Sequence, residues 1–297
     1  MSSEKRVGLV HLVPISAAIA SSIAFSWLLE SSRVLSEIET PFSRSQTLEA
    51  TLYNALLFAL LLGTGALVLY LLVNLKKASL LRVVVLASLA VSSVGIIEIY
   101  AIALLSISKA LGLLPPDVSL AFSTLLSLAA TYVVATSNNE LLLACILLLY
   151  GSSAGSLLGA LLPLWTVVLT AVLASAYDLY SVFRGPLKHL IELERSRTPP
   201  ASDIPFRSSD SILRGAVVPF RGLYIGIGDI IFYSMISSTA LLRPTISVAR
   251  ALVVASSLAL GAYATFKLVE RRGALPALPL PALTSISTYL VALALEA

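Results

Sequence analysis

The sequence predicts an all-α, polytopic membrane protein with about nine transmembrane helices. Of its 297 residues, 58% are hydrophobic and 12% are charged, which is about half the charged share of a typical soluble domain. Apolar runs of about 20 residues, the length that crosses a bilayer core, recur along the whole chain. So few charged groups cannot cover a globular surface in water, and lipid is therefore the expected surrounding of most of this protein.

The apolar runs give the order of the predicted helices, and one polar segment divides them. The boundary between the fifth and sixth runs falls near Pro163. We expect six membrane helices in residues 1–184, a cytoplasmic loop over 185–221, which contains helix-breaking prolines, and three membrane helices in 222–297. The nine predicted spans are 7–29, 50–75, 80–106, 118–136, 141–161, 162–183, 222–242, 247–269 and 275–295.

The first span must be separated from a signal peptide. It follows a basic start, and the pattern Ala18-x-Ala20 resembles a cleavage site. Apolar residues nevertheless continue to Leu29, beyond a usual signal core, and the first span is therefore expected to be a retained helix.

Basic residues predict the orientation of the spans. They cluster before the first span and after the second, sixth and eighth spans, all on one side of a nine-span protein. The positive-inside rule then places the N-terminus in the cytoplasm and the C-terminus outside. Arg243 and Arg250, in the loop between spans seven and eight, are exceptions, because this orientation puts them on the outer side.

Several classes of function are disfavoured by composition. The formal charge is +4, and the basic residues lie between apolar runs, a pattern that indicates membrane orientation and not a nucleic-acid partner. The single cysteine, Cys145, allows no disulfide within the chain, and the two histidines are far apart in sequence. No cofactor and no metal site is expected. The lipid bilayer is the expected partner, and the sequence leaves open both a homo-oligomer and the need for accessory subunits.

Two carboxylates interrupt these apolar runs. Asp178 lies in the sixth span and Asp229 in the seventh, and each costs about 2.5–3.5 kcal/mol at the centre of a membrane helix. Helical rise places Asp178 about 9 Å from Arg184 and Asp229 about 12 Å from Arg221. Both distances start at the cytoplasmic face of consecutive antiparallel helices, so the two side chains are predicted at a similar depth.

Paired carboxylates in a low dielectric cannot both ionise easily and are expected to share one proton. In peptide hydrolysis, the ionised acid takes a proton from water, and the protonated acid polarises the carbonyl group. The same pair can instead relay protons in a transporter. On this ground alone a protease, a proton-coupled transporter and a catalytically silent receptor or scaffold all remain open.

Three motifs, in order along the chain, resemble presenilins. The run WTVVLTAVLASAYDLYSVF contains Tyr177-Asp178 and resembles their sixth span, and YIGIGDIIFYSM carries their GxGD signature at Gly226, Gly228 and Asp229. The string ALPALP carries their PAL motif at Pro276, Ala277 and Leu278. The resemblance is to the presenilin and signal peptide peptidase family of intramembrane aspartyl proteases, and most of all to a compact archaeal presenilin homologue.

The resemblance implies a nine-span fold and an intramembrane-cleaving aspartic endopeptidase with Asp178 and Asp229 as its catalytic pair. It also implies substrates that are membrane helices, a supporting role for Tyr177 beside the active site, and the cell membrane of a prokaryote. A second PAL string begins at Pro281, but the first fits the whole family string better. Closely spaced prolines should keep this segment out of a regular helix, and its unpaired carbonyl groups could hold an extended substrate.

The GxGD glycines have a physical interpretation of their own. Gly226 and Gly228 remove two side chains just before Asp229, so another backbone is expected to approach closely there.

Two further signals are interpreted structurally. Gly151–Gly155 matches the GxSxG pattern of serine hydrolases, but it lies inside a membrane helix, where successive GxxxG steps predict helix packing. Glu98 is another intramembrane acid, and we expect it to be a satisfied packing or gating group.

Overall fold

The structure is a computed structural model that describes residues 8–75, 78–108, 115–184, 214–272 and 276–296. Within these ranges the chain forms nine α-helices and one two-stranded antiparallel sheet. In chain order they are α1 (Val13–Ser32), α2 (Leu48–Asn74), α3 (Ala78–Ile107), α4 (Pro116–Thr136), α5 (Glu140–Leu161), α6 (Leu164–Phe183), β1 (Val217–Phe220), β2 (Leu223–Gly226), α7 (Ile227–Leu242), α8 (Val248–Arg272) and α9 (Pro279–Glu296).

The polytopic helical fold class is confirmed. Eight of the helices in the described residues are long and apolar enough to cross a membrane, and α7 is a shorter apolar helix. The break near Pro163 is present, because α5 ends at Leu161 and α6 begins at Leu164. Most of the predicted loop, residues 185–213, lies outside the described residues.

Helix α7 forms the centre of the bundle. Twelve of its sixteen residues are buried. From α1, the Ser22 hydroxyl donates a 2.7 Å hydrogen bond to the carbonyl oxygen of Ser234. The α1 segment that could be mistaken for a signal peptide is therefore a packed helix of this bundle.

The glycines of α5 bring it close to α7. A Cβ atom added at Gly155 would lie 2.2 Å from the carbonyl oxygen of Ile231, and one at Gly159 would lie 2.4 Å from that of Met235. Small residues at four-residue spacing permit this close contact between helix backbones. Ser153, the serine of the GxSxG pattern, is buried and donates to the carbonyl oxygen of Tyr150 in its own helix.

The start of the seventh span differs from the prediction. A helix was expected from Gly222, but α7 begins at Ile227, and residues 217–226 form a β-hairpin. The turn residues Arg221 and Gly222 have φ angles of 47° and 83°, and two positive φ values in a two-residue loop favour tight hairpins. The flanking strands are rich in β-branched and aromatic residues, which prefer extended backbone.

Arg214 fixes the hairpin to the end of α4. It is buried, with 6% of its surface exposed, and it donates to the carbonyl oxygens of Val134 and Ser137. Arg82 donates to the next carbonyl oxygen in that turn, that of Ala135. Cationic side chains stabilise a helix C-terminus because they pair with its unsatisfied carbonyl groups.

The two arginines that contradict the charge rule are structural. Arg250 is 1% exposed; it forms an ion pair with Glu296 and donates to the carbonyl oxygen of Ala240 at 2.8 Å. Arg243 donates to the carbonyl oxygen of Ala160 at the end of α5. Both guanidinium groups bind carbonyl groups at helix ends within the protein. The positive-inside rule describes basic residues in loops at the membrane surface, which explains why these two arginines do not follow it.

Candidate active site

Asp178 lies in the last two turns of α6 and is half-buried. Its Oδ2 atom accepts a 3.1 Å hydrogen bond from the backbone N–H of Leu278. The sixth span and the predicted PAL segment, which are a hundred residues apart, therefore meet at this carboxyl group.

Asp229 is the third residue of α7 and is also partly buried. Its carboxyl group folds back onto the backbone of Gly226, the residue that precedes the helix. An acidic side chain at this helix position commonly reaches back to the first N–H groups. A Cβ atom at Gly226 would lie 2.8 Å from Oδ2 of Asp229, so the glycine provides the space that this carboxyl group occupies.

The two glycines of the GxGD motif have different surroundings. Gly228 is exposed, and a Cβ atom added there would meet no described atom within 4 Å. The expected close approach of another backbone is thus not found at Gly228 among the described residues. At Gly226 the nearest group is the side chain of Asp229 itself.

The fold brings the two carboxyl groups together. Asp178 and Asp229 are close enough for their charges to interact. Asp178 also receives the backbone N–H of Leu278, and the carboxyl group of Asp229 lies against Gly226. Two neighbouring acids that share one proton supply a base and an acid at one place, the arrangement that aspartic proteolysis and proton relay both require.

The PAL segment is the non-helical start of the ninth span. Helix α9 begins at Pro279, and Pro276 and Leu278 are buried before it. Proline at the first helical position is favourable because its missing N–H would be unpaired anyway. The second PAL string lies inside α9, where Leu283 is 65% exposed.

Tyr233 contacts this site and was not predicted. It is 1% exposed, and its hydroxyl donates a 2.8 Å hydrogen bond to the carbonyl oxygen of Ala277. It is also close enough to both aspartates to interact electrostatically. Tyr233 could have been found from its spacing in the sequence. It follows Asp229 by four residues, and residues i and i+4 of a helix lie on the same face.

The other site predictions have plainer surroundings. Tyr177 is half-buried next to Asp178 in α6, and its supporting role stays a prediction. Glu98 accepts a 2.6 Å hydrogen bond from Ser123 across the contact between α3 and α4, away from the aspartates. Within the described ranges, no group of three His, Cys, Asp or Glu side chains could hold a metal ion.

The fold defines a polytopic helical membrane protein, in which Asp178 contacts the non-helical segment before α9. The chain is 35% identical to Presenilin-B of Dictyostelium discoideum over 136 residues, which are 43% of this chain and 26% of that protein. It therefore spans about a quarter of the length of this curated relative. No protein-family profile matches the chain.

The solved structures give the same fold. A presenilin family intramembrane aspartate protease superposes with a TM-score of 0.63 at 18% sequence identity, and the match covers 96% of this chain and 99% of that one. The predicted presenilin-like architecture is therefore confirmed, and the chain is a homologue of Presenilin-B.

Proposed function

We propose that this protein is an intramembrane aspartic endopeptidase that cleaves peptide bonds within the transmembrane segments of other membrane proteins. The observation that carries the proposal is the meeting of Asp178, Asp229 and the non-helical 276–278 segment at one place. The similarity to Presenilin-B and the fold shared with an intramembrane aspartate protease support the same reaction.

In the proposed mechanism the two aspartates share one proton and hold a water molecule between them. The ionised carboxylate takes a proton from this water, which attacks the carbonyl carbon of the substrate. The protonated carboxyl group polarises the carbonyl oxygen and later gives a proton to the departing amine. No metal or organic cofactor takes part in these steps.

The substrate must present an extended peptide bond, because a helical one is shielded by its own hydrogen bonds. We infer that a substrate helix unwinds locally near the 276–278 segment. The carbonyl oxygens of Ala277 and Leu278, expected from the sequence to be unpaired, already accept hydrogen bonds from Tyr233 and from the N–H of Ala282. Glycine or proline near the cleaved bond should make unwinding easier, since both are poor helix formers. We also propose that the protein lies in the cell membrane of a prokaryote, with its N-terminus and the loop over 185–221 on the cytoplasmic side.

Cleavage by purified protein in liposomes tests the proposal. A peptide with a single membrane span is the substrate, and mass spectrometry identifies the products. Asp178→Asn and Asp229→Asn keep the shape of each side chain but remove its acid–base chemistry, so each should abolish cleavage. Glu98→Gln is the matched control, because it also neutralises a membrane carboxyl group but lies away from the pair.

Near-normal cleavage by either aspartate variant would contradict the assignment. The same liposomes, loaded with a pH-sensitive dye, test the proton relay of a transporter. If the wild-type protein cleaves nothing but carries a proton flux that is lost in both aspartate variants, the protein is a proton-coupled transporter and not a protease.

A further inference from the structure

One peptide group of the PAL segment is held at both ends. Its carbonyl oxygen, on Ala277, accepts the hydrogen bond from Tyr233 at 2.8 Å. Its N–H, on Leu278, donates to Asp178 at 3.1 Å. Because these two atoms belong to the same planar peptide bond, the two contacts together fix the orientation of that plane.

The contact joins three parts of the fold. Tyr233 comes from α7, Asp178 from α6, and the peptide group from the segment that leads into α9. Tyr233 also lies one helical turn after Asp229 on the same face of α7. A rotation of this peptide would turn the N–H away from Asp178, so the position of one catalytic carboxyl group depends on a side chain of the helix that carries the other.

We propose that Tyr233 is a positioning residue of the aspartate centre, which fixes the Ala277–Leu278 peptide so that its N–H holds Asp178 in register with Asp229. This inference rests on the proposed proteolytic function. It assigns Tyr233 no contact with the substrate and no proton transfer; the residue acts through the peptide group alone.

Tyr233→Phe is the direct test, because it deletes one oxygen atom and keeps the ring. Tyr289→Phe is its matched control: Tyr289 is 2% exposed, and its hydroxyl donates a 2.8 Å hydrogen bond to the carbonyl oxygen of Arg243 at the other end of α7. Both variants remove a buried tyrosine hydroxyl that donates to a backbone carbonyl group, and Tyr289 has a second, longer contact of 3.4 Å with the carbonyl oxygen of Thr239. Tyr289→Phe should therefore lower the melting temperature at least as much as Tyr233→Phe.

Only Tyr233→Phe should change catalysis. We expect kcat to fall about tenfold or more, since small displacements of catalytic groups have effects of this size, while KM stays within about twofold. A peptide mimic with a hydroxyl group in place of the cleaved bond should bind correspondingly more weakly, because such mimics bind to transition-state geometry. Tyr289→Phe should leave kcat and the affinity for this mimic unchanged.

The opposite end of the peptide group gives an independent test if Tyr233→Phe fails to fold. Leu278→Pro removes the N–H that reaches Asp178 and keeps most of the apolar side chain, whereas Leu278→Ala removes more apolar bulk and keeps the N–H. We expect the proline variant to have a kcat at least tenfold below that of the alanine variant.

The inference is overturned if wild-type protein cleaves the test peptide and Tyr233→Phe retains kcat within twofold. Equal kcat losses in Tyr233→Phe and Tyr289→Phe would also overturn it, as would equal values for the two Leu278 variants. A wild-type protein that cleaves nothing would instead remove the proposed function itself.

Discussion

Gly226→Ala should separate folding from catalysis at the GxGD motif. The new Cβ atom would lie 2.8 Å from Oδ2 of Asp229, whereas an ordinary contact needs about 3.5 Å. One of the two groups must therefore move by about 0.7 Å. The backbone cannot easily give way, because Gly226 ends β2 and precedes the first turn of α7, so the carboxyl group is the part that moves.

The folding cost of this change is small. Gly226 has φ −59° and ψ 135°, a conformation that alanine adopts freely. Alanine before a helix is less favourable than glycine by about 1 kcal/mol or less. The melting temperature should therefore fall only slightly.

The catalytic cost is large in comparison. A misplacement of about 1 Å can cost about 100-fold in rate, so a shift of about 0.7 Å should lower kcat by about 10- to 100-fold, or about 1.4–2.7 kcal/mol of activation free energy. The assay is cleavage of the single-span peptide in liposomes at saturating substrate, together with a thermal melt of each variant.

Gly228→Ala is the control, because its Cβ atom points into open space. Gly228→Ala should leave the melting temperature and kcat unchanged. Any effect should appear as a higher KM, because the added methyl group would meet the backbone of an approaching substrate. The reasoning fails if Gly226→Ala keeps kcat within twofold of wild type, or if both alanine variants lose kcat equally.

Three further predictions concern the PAL register, the helix packing and pH. Leu278→Ala should impair cleavage more than Leu283→Ala, because Leu278 is 3% exposed at the aspartates and Leu283 is 65% exposed on α9; a larger loss at Leu283 would reverse the register. Gly155→Ala should destabilise the protein by about 1–3 kcal/mol through overpacking, whereas Gly95→Ala, with no described atom within 4 Å of the added Cβ, should not; equal melting temperatures would contradict this packing. The rate of cleavage should be bell-shaped in pH, because full protonation leaves no base and full ionisation leaves no acid; a flat profile with chemistry rate-limiting would contradict the shared proton.

Hydropathy predicted most of the helices because each membrane helix needs about 20 consecutive apolar residues, whatever it packs against. The boundary at Pro163 also followed from local chemistry, since proline begins helices better than it continues them. The hairpin was missed because the count of apolar residues merged β2 with α7 and left β1 in the predicted loop. Gly222, which adopts positive φ readily, between runs of β-branched and aromatic residues was the local signal that contradicted a helix there.

Long-range contacts could not be read from the sequence in the same way. The peptide held by Tyr233 and Asp178 depends on the placement of three separate segments. Arg250 and Arg243 likewise contradict the charge rule only because the fold supplies helix carbonyl groups and Glu296 as their partners. The GxGD motif identified the segment around Asp229. That Gly226 contacts the carboxyl group of Asp229 while Gly228 is exposed could be seen only in the folded structure.

The hairpin changes the argument that places the two aspartates at one depth. Residues 221–226 are not helical, so helical rise cannot be counted from Arg221 to Asp229. Counted from the other end of α7, Asp229 lies about 20 Å from Leu242. A bilayer core of about 30 Å then leaves about 10 Å on the side of the hairpin. Asp178 lies about 9 Å before Arg184 at the end of α6, which is a similar depth.

The same geometry explains how water could reach the pair. A 16-residue helix such as α7 is about 24 Å long, shorter than the bilayer core, so part of the hairpin should lie at membrane depth. Its backbone groups are largely paired, between β1 and β2 and from the Ile227 N–H to the carbonyl oxygen of Ala216. Non-helical backbone at that depth is tolerated where protein covers it or where it lines a water-filled cavity. For the proposed hydrolysis we therefore expect water to reach the carboxyl pair, about 9–10 Å inside the membrane, along the hairpin that precedes α7.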